Sequence, residues 1–103
     1  MYIVYIPCKN LNEARKIGRY LVQKKLAVCV NCIRSIYSIY KWKENIEESK
    51  EALLIVKTSN TKVKNVIDQI TKLHSYNLPE IIGWKIDIST PEVSNWIKSE
   101  LEE

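Results

Sequence analysis

The sequence predicts an α+β fold in the order β-α-β-β-α-β with a further helix at the C-terminal end, and three observations carry that prediction. Runs of β-branched and aromatic residues recur at 2–6, 27–42, 48–58 and 81–88. Between and after them, apolar residues take helical spacing, following Asn10, over 61–74, and from Thr90 onward. The run 27–42 is also too long for a simple flat strand, and its alternation reverses phase partway along.

Taken in order, Tyr2-Ile3-Val4-Tyr5-Ile6 is made of strand formers and is expected to end at Pro7. Asn10 with Glu13 three residues on forms a capping pair, and Ala14, Ile17, Leu21 and Val22 supply the apolar stripe of the helix that follows. Gly18 lets that helix approach whatever lies beneath it, and Lys24-Lys25 suit its negative end. In 27–42, Val28, Val30 and Cys32 share one face, whereas Ile33, Tyr37 and Ile39 share the other. That switch predicts a bulge near Arg34-Ser35. Lys43-Glu44-Asn45 turns the chain into a central strand from about Glu48 to Thr58, apolar on both faces at 52–56. The helix over 61–74 presents Val63, Val66, Ile67, Ile70, Leu73 and His74 on one stripe. A loop containing Pro79 leads to the strand Ile81–Ile88, and Thr90-Pro91-Glu92 starts a helix that buries Val93, Trp96, Ile97 and Leu101. This is the ferredoxin-like pattern, an antiparallel sheet with both main helices on one face.

With 103 residues the chain is one domain, 1–103, and 46% hydrophobic against 27% charged residues is a globular balance. It has no apolar run of membrane-spanning length and no signal-peptide pattern at its start, so no membrane association and a cytoplasmic location are expected. Three cysteines in such a chain are expected to be reduced thiols. Two glycines exclude a P-loop and a dinucleotide-binding fingerprint, and one histidine without G-x-S-x-G excludes the usual hydrolase triad. The net charge of +4 is spread in short pairs rather than a dense basic block. Nucleic acid is not an expected partner, because residues 52–57 carry no aromatic on which bases could stack and the chain has no Phe. The sheet face opposite the helices is too apolar to face water. Other copies of the chain are expected to cover it, with the overlong 27–58 hairpin reaching across.

Five segments in fixed order carry a resemblance to a known family. They are Leu26-Ala27-Val28-Cys29-Val30-Asn31, Ser38-Ile39-Tyr40-Lys41-Trp42, Ile46-Glu47-Glu48, Leu54-Ile55-Val56-Lys57-Thr58 and His74-Ser75-Tyr76-Asn77-Leu78-Pro79-Glu80-Ile81. Together they resemble the CutA divalent-cation-tolerance family over nearly the whole chain. The departures are Glu44, Ser75 and Asn77, where the family usually has Gly, Pro and an acidic residue. The resemblance implies a ferredoxin-like homotrimer, similar to PII signalling proteins. It further implies binding of copper or another divalent metal ion and no enzymatic reaction. A PII-like sensor or scaffold that takes a small metabolite or protein between subunits is the alternative.

His74, the only histidine, is read either as a partly buried hydrogen-bonding group or as a copper or zinc ligand, the matching loop position being a proposed ligand in the family. A histidine ligand needs partners. Cys29 and Glu80 are the candidates, from the same or a neighbouring chain, and thiolate with imidazole favours copper or zinc over magnesium or calcium. The C-x-x-C spacing of Cys29 and Cys32 is not a metal or redox motif, because residues three apart in a strand point to opposite faces. Tyr40, Trp42, Lys57 and Tyr76 lie on the family-like segments. They either pack between subunits, with Lys57 pairing a carboxylate such as Glu80, or line an inter-subunit cleft for a small anion or metal complex.

Overall fold

A computed structural model describes residues 1–101. The elements are β1 (Tyr2–Cys8), α1 (Leu11–Gln23), β2 (Cys29–Trp42), β3 (Asn45–Thr58), α2 (Val63–Leu73), β4 (Ile82–Lys85) and α3 (Pro91–Leu101), in the predicted order. They form one antiparallel sheet, β2-β3-β1-β4, with α1 and α2 packed on one face.

The two sheet faces follow from the register. Val4, Ile6 and Cys8 of β1 pair with Val56, Leu54 and Ala52 of β3, and all six are fully buried beneath the helices. Ala14, Ile17 and Leu21 of α1 and Val66 and Ile70 of α2 close this core from above. The alternate positions form the open face: Ile3, Tyr5, Leu53 and Ile55 in the middle, flanked by Ile33 on β2 and by Ile82 and Trp84 on β4. Ile33, Ile82 and Trp84 are 44–49% exposed, so a single chain leaves an apolar sheet surface in water.

β2 and β3 form a hairpin of two 14-residue strands, which at about 3.3 Å per residue accounts for the 46 Å long dimension of the molecule. The register shifts between Ile33 and Ile36, as the phase reversal predicts. The hairpin closes at Trp42 and Asn45 through Lys43, whose φ of 55° lies in the left-handed region. At the end of α1, Lys25 takes the same region (φ 57°), and Leu26 N–H and Lys25 N–H return to the carbonyls of Leu21 and Val22. That is a Schellman closure, built with lysine where glycine is the easier residue.

Gly18 sits where α1 crosses the sheet. A Cβ there would lie 2.8 Å from Val30 Cγ2 and 3.2 Å from Leu54 Cδ1. Crowding of this kind costs about 1–3 kcal/mol, against a helix-propensity gain of at most about 1 kcal/mol. Gly18→Ala is therefore expected to lower the urea midpoint, and a raised midpoint would contradict the close approach.

Four expectations need correction. β1 runs through Pro7 to Cys8, because β4 pairs only as far as Tyr5 and Pro7 stands where β1 has become an edge. β4 spans only Ile82–Lys85, since β1 supplies no partner beyond the Ile86 N–H to Met1 carbonyl bond. β3 starts at Asn45 rather than near Glu48, because the hairpin turn is tighter than the polar stretch suggests. In α3, Ile97 and Leu101 are buried but Val93 and Trp96 are 40% and 46% exposed, so the helix docks along a narrower line than its apolar content implies. The same narrowing leaves Val22, Ile67 and Leu73 at the margins of α1 and α2 only partly covered, 37–40% exposed.

Candidate functional site

Helices α1 and α2 run antiparallel, so the start of α1, the end of α2 and the end of β1 meet at one corner of the core. Asn10 caps α1 by accepting from Glu13 N–H at 2.9 Å. Glu13 then faces inward, and its carboxylate accepts Lys9 N–H at 2.9 Å through Oε1 and Ser75 N–H at 2.8 Å through Oε2. One side chain thus ties the loop before α1 to the loop after α2. His74 is the C-cap of α2 and is buried. Its Nε2 lies 2.9 Å from the Pro7 carbonyl, and its Nδ1 accepts Tyr76 N–H at 3.1 Å. A carbonyl only accepts, so the proton sits on Nε2 and the ring is neutral, with its lone pair on Nδ1.

Cys8 lies beside them, fully buried. One ligand atom from each of Cys8, Glu13 and His74 falls within 4.8 Å of the other two. Sulfur, nitrogen and carboxylate oxygen together are the donor set of a borderline divalent ion such as zinc or copper, and in kind and spacing the group fits one. Each donor is already engaged in the folded chain. Burial pushes the Cys8 thiol up to about 12, reinforced by the charge of Glu13, so the sulfur keeps its proton at neutral pH. Burial alone would raise Glu13 as well, but the hydrogen bonds from Lys9 and Ser75 outweigh it and hold the carboxyl below its usual range.

Tyr76 continues the network. Its ring lies 4.8 Å from that of His74, and its hydroxyl donates to Glu51 Oε2 at 2.7 Å. Burial first, and then Glu51, pushes the phenol up.

The structure brings His74 together with Cys8 and Glu13, and Tyr76 abuts the same group. Within one chain Cys29 and Glu80 are not part of it. Cys29 is at the start of β2 on the open face, paired with Lys57, and Glu80 is exposed ahead of β4. Within one chain Lys57 donates to Asn31 Oδ1 at 2.8 Å and approaches Cys29 Sγ at 3.9 Å. Tyr40 and Trp42 stand exposed on the outer hairpin, 45% and 47% accessible. Cys32 packs against the helix-side core while Cys29 faces the other way, as alternation requires. The residues missed from sequence are Cys8 and Glu13. One signal for Glu13 was available: it falls on the stripe Glu13-Ile17-Leu21, an ionisable group among apolar ones.

Residues 2–100 match the family model described as CutA1 divalent ion tolerance protein. The chain is 40% identical over 93 residues to the Protein CutA homolog of Xenopus laevis, covering 90% of this chain and 62% of that protein. It is 38% identical over 99 residues to the divalent-cation tolerance protein CutA of Archaeoglobus fulgidus, covering 96% of each. Among solved structures, CutA from Xylella fastidiosa superposes with a TM-score of 0.94 at 36% identity, covering 98% of this chain and 97% of that one. The chain spans 62%, 52% and 55% of the Xenopus, mouse and human proteins it matches. No described helix is long and apolar enough to cross a membrane.

Proposed function

The chain belongs to the CutA1 divalent ion tolerance family, and we propose that it acts as a homotrimer that binds a divalent cation, copper foremost, at Cys8, Glu13 and His74. The observation that carries the reading is the convergence of thiol, carboxylate and imidazole within 4.8 Å at one buried corner. Copper leads by the order of divalent affinities at nitrogen and sulfur donors. The trimer is supported by the open face, whose Ile33, Ile82 and Trp84 a lone chain leaves exposed. No reaction is assigned; the family is named for cation tolerance.

When bound, the ion acts as a Lewis acid toward its donors. The chain's part is to surrender the thiol proton, while Glu13 is ionised beforehand. Because the Cys8 thiol is raised to about 12, binding displaces one proton throughout the neutral range, and apparent affinity is expected to rise about tenfold per pH unit. The test is an anaerobic titration of reduced, metal-free protein with copper, and with zinc as a redox-inert probe, between pH 6 and 7.5. One ion per chain is expected, with that slope, lost in both Cys8→Ser and His74→Ala. Binding that survives Cys8→Ser but is lost in Cys29→Ser would move the site to Cys29 and Glu80 across a subunit boundary. Binding indifferent to all three variants would make the metal incidental.

A further inference from the structure

We propose that a divalent ion on His74 and closure of the 74–77 segment exclude one another, so that ion binding releases Tyr76 and, through it, the base of the long hairpin. This rests on the metal reading above and adds the conformational consequence of occupancy. A neutral imidazole has a single ring-nitrogen lone pair to offer. In the closed state Nε2–H donates to the Pro7 carbonyl and Nδ1 accepts Tyr76 N–H. Coordination through Nδ1 takes the lone pair from Tyr76 directly. Coordination through Nε2 moves the ring proton to Nδ1, where it points at Tyr76 N–H, donor against donor. By either route the Tyr76 backbone bond is lost.

Glu13 places no such demand, because each carboxylate oxygen keeps a second lone pair beside the N–H it accepts, so Ser75 can stay tied while the ion binds. Tyr76 is therefore the contact released by either route, the Pro7 carbonyl bond being lost as well when Nε2 coordinates. That residue spans the layers. Its ring lies 4.8 Å from the imidazole, and its hydroxyl holds Glu51 at 2.7 Å. Glu51 pairs with Ile36, the first β2 residue beyond the bulge, where the hairpin leaves the core and begins to project. The ion site and the hairpin base thus share one link, which on this proposal is closed when the site is empty and open when it is filled.

Tyr76→Phe and Glu51→Gln test this without touching a proposed donor. Both weaken the outer tether, so the ion no longer has to break it. Each variant is expected to bind zinc more tightly than the wild type, Tyr76→Phe by about tenfold, the worth of one hydrogen bond to a carboxylate. In the wild-type protein, zinc is expected to accelerate hydrogen exchange at the Tyr76 amide while Ser75 stays protected. Wild-type affinity in both variants, together with an unchanged Tyr76 amide, overturns the coupling while leaving the site intact, provided zinc binding still depends on Cys8. Zinc binding that survives Cys8→Ser overturns the site itself and the coupling with it. Melting curves of the two variants without metal establish that each is folded.

Discussion

Leu54→Ala is expected to destabilise each chain by about 2–5 kcal/mol, the range for emptying a buried leucine site in a packed core. Leu54 is fully buried on the central strand β3, beneath α1 at the point where Gly18 permits close contact. Its neighbours on that face are held by sheet pairing on both sides and can collapse little into the void. The measurement is the shift in denaturant midpoint at fixed chain concentration, since assembly would make stability concentration-dependent. A loss under about 1 kcal/mol would show that the helix layer is looser than its burial indicates.

The next residue gives a different result. Ile55 points to the opposite face of the same strand, between Asn31 and Tyr5. Lysine there places a charge at the middle of the open face and leaves the helix-side core untouched. If copies of the chain meet on that face, Ile55→Lys removes the assembly altogether, because an unpaired buried charge costs several kcal/mol at each contact. Sedimentation is expected to give a trimer for the wild type and a monomer for the variant. A variant that keeps the wild-type mass would place the subunit contact elsewhere. Two consecutive positions thus report separately on the two faces of one strand, the helix-side core and the open face.

The architecture was legible because it rests on local periodicities. Alternation marked the strands, its phase reversal located the bulge, and Thr90-Pro91 placed the last helix, with Val93 N–H donating to Thr90 Oγ1. What failed depended on neighbours distant in sequence. Pro7 is harmless in β1 only because β4 stops short of it, and β4 is short only because β1 begins where it does. The site follows the same rule. His74 stood out as the one histidine, but its companions lie more than sixty residues earlier, brought there by antiparallel helices. Glu13 was already explained locally by the cap of α1, so its place on the apolar stripe with Ile17 and Leu21 was not read as a sign that its second oxygen holds Ser75. Lys57 was matched to a carboxylate by charge, and within the chain it meets an amide oxygen on the neighbouring strand, a partner that charge alone does not suggest.

The four-residue strand β4 has a consequence for folding and solubility. It pairs only with β1, about eighty residues away in the chain, whereas β2 and β3 close on each other through a local turn. The distant pairing carries the larger loop-closure entropy, so it forms late and opens first. When it opens, β1 becomes the rim of the sheet and exposes Tyr2-Ile3-Val4-Tyr5, an uncharged run of strong strand formers. Such a rim is a template for adding foreign strands and, in time, fibrils. Ile82–Lys85 cover that run in the folded chain, and how seldom these four residues let go is expected to govern resistance to aggregation.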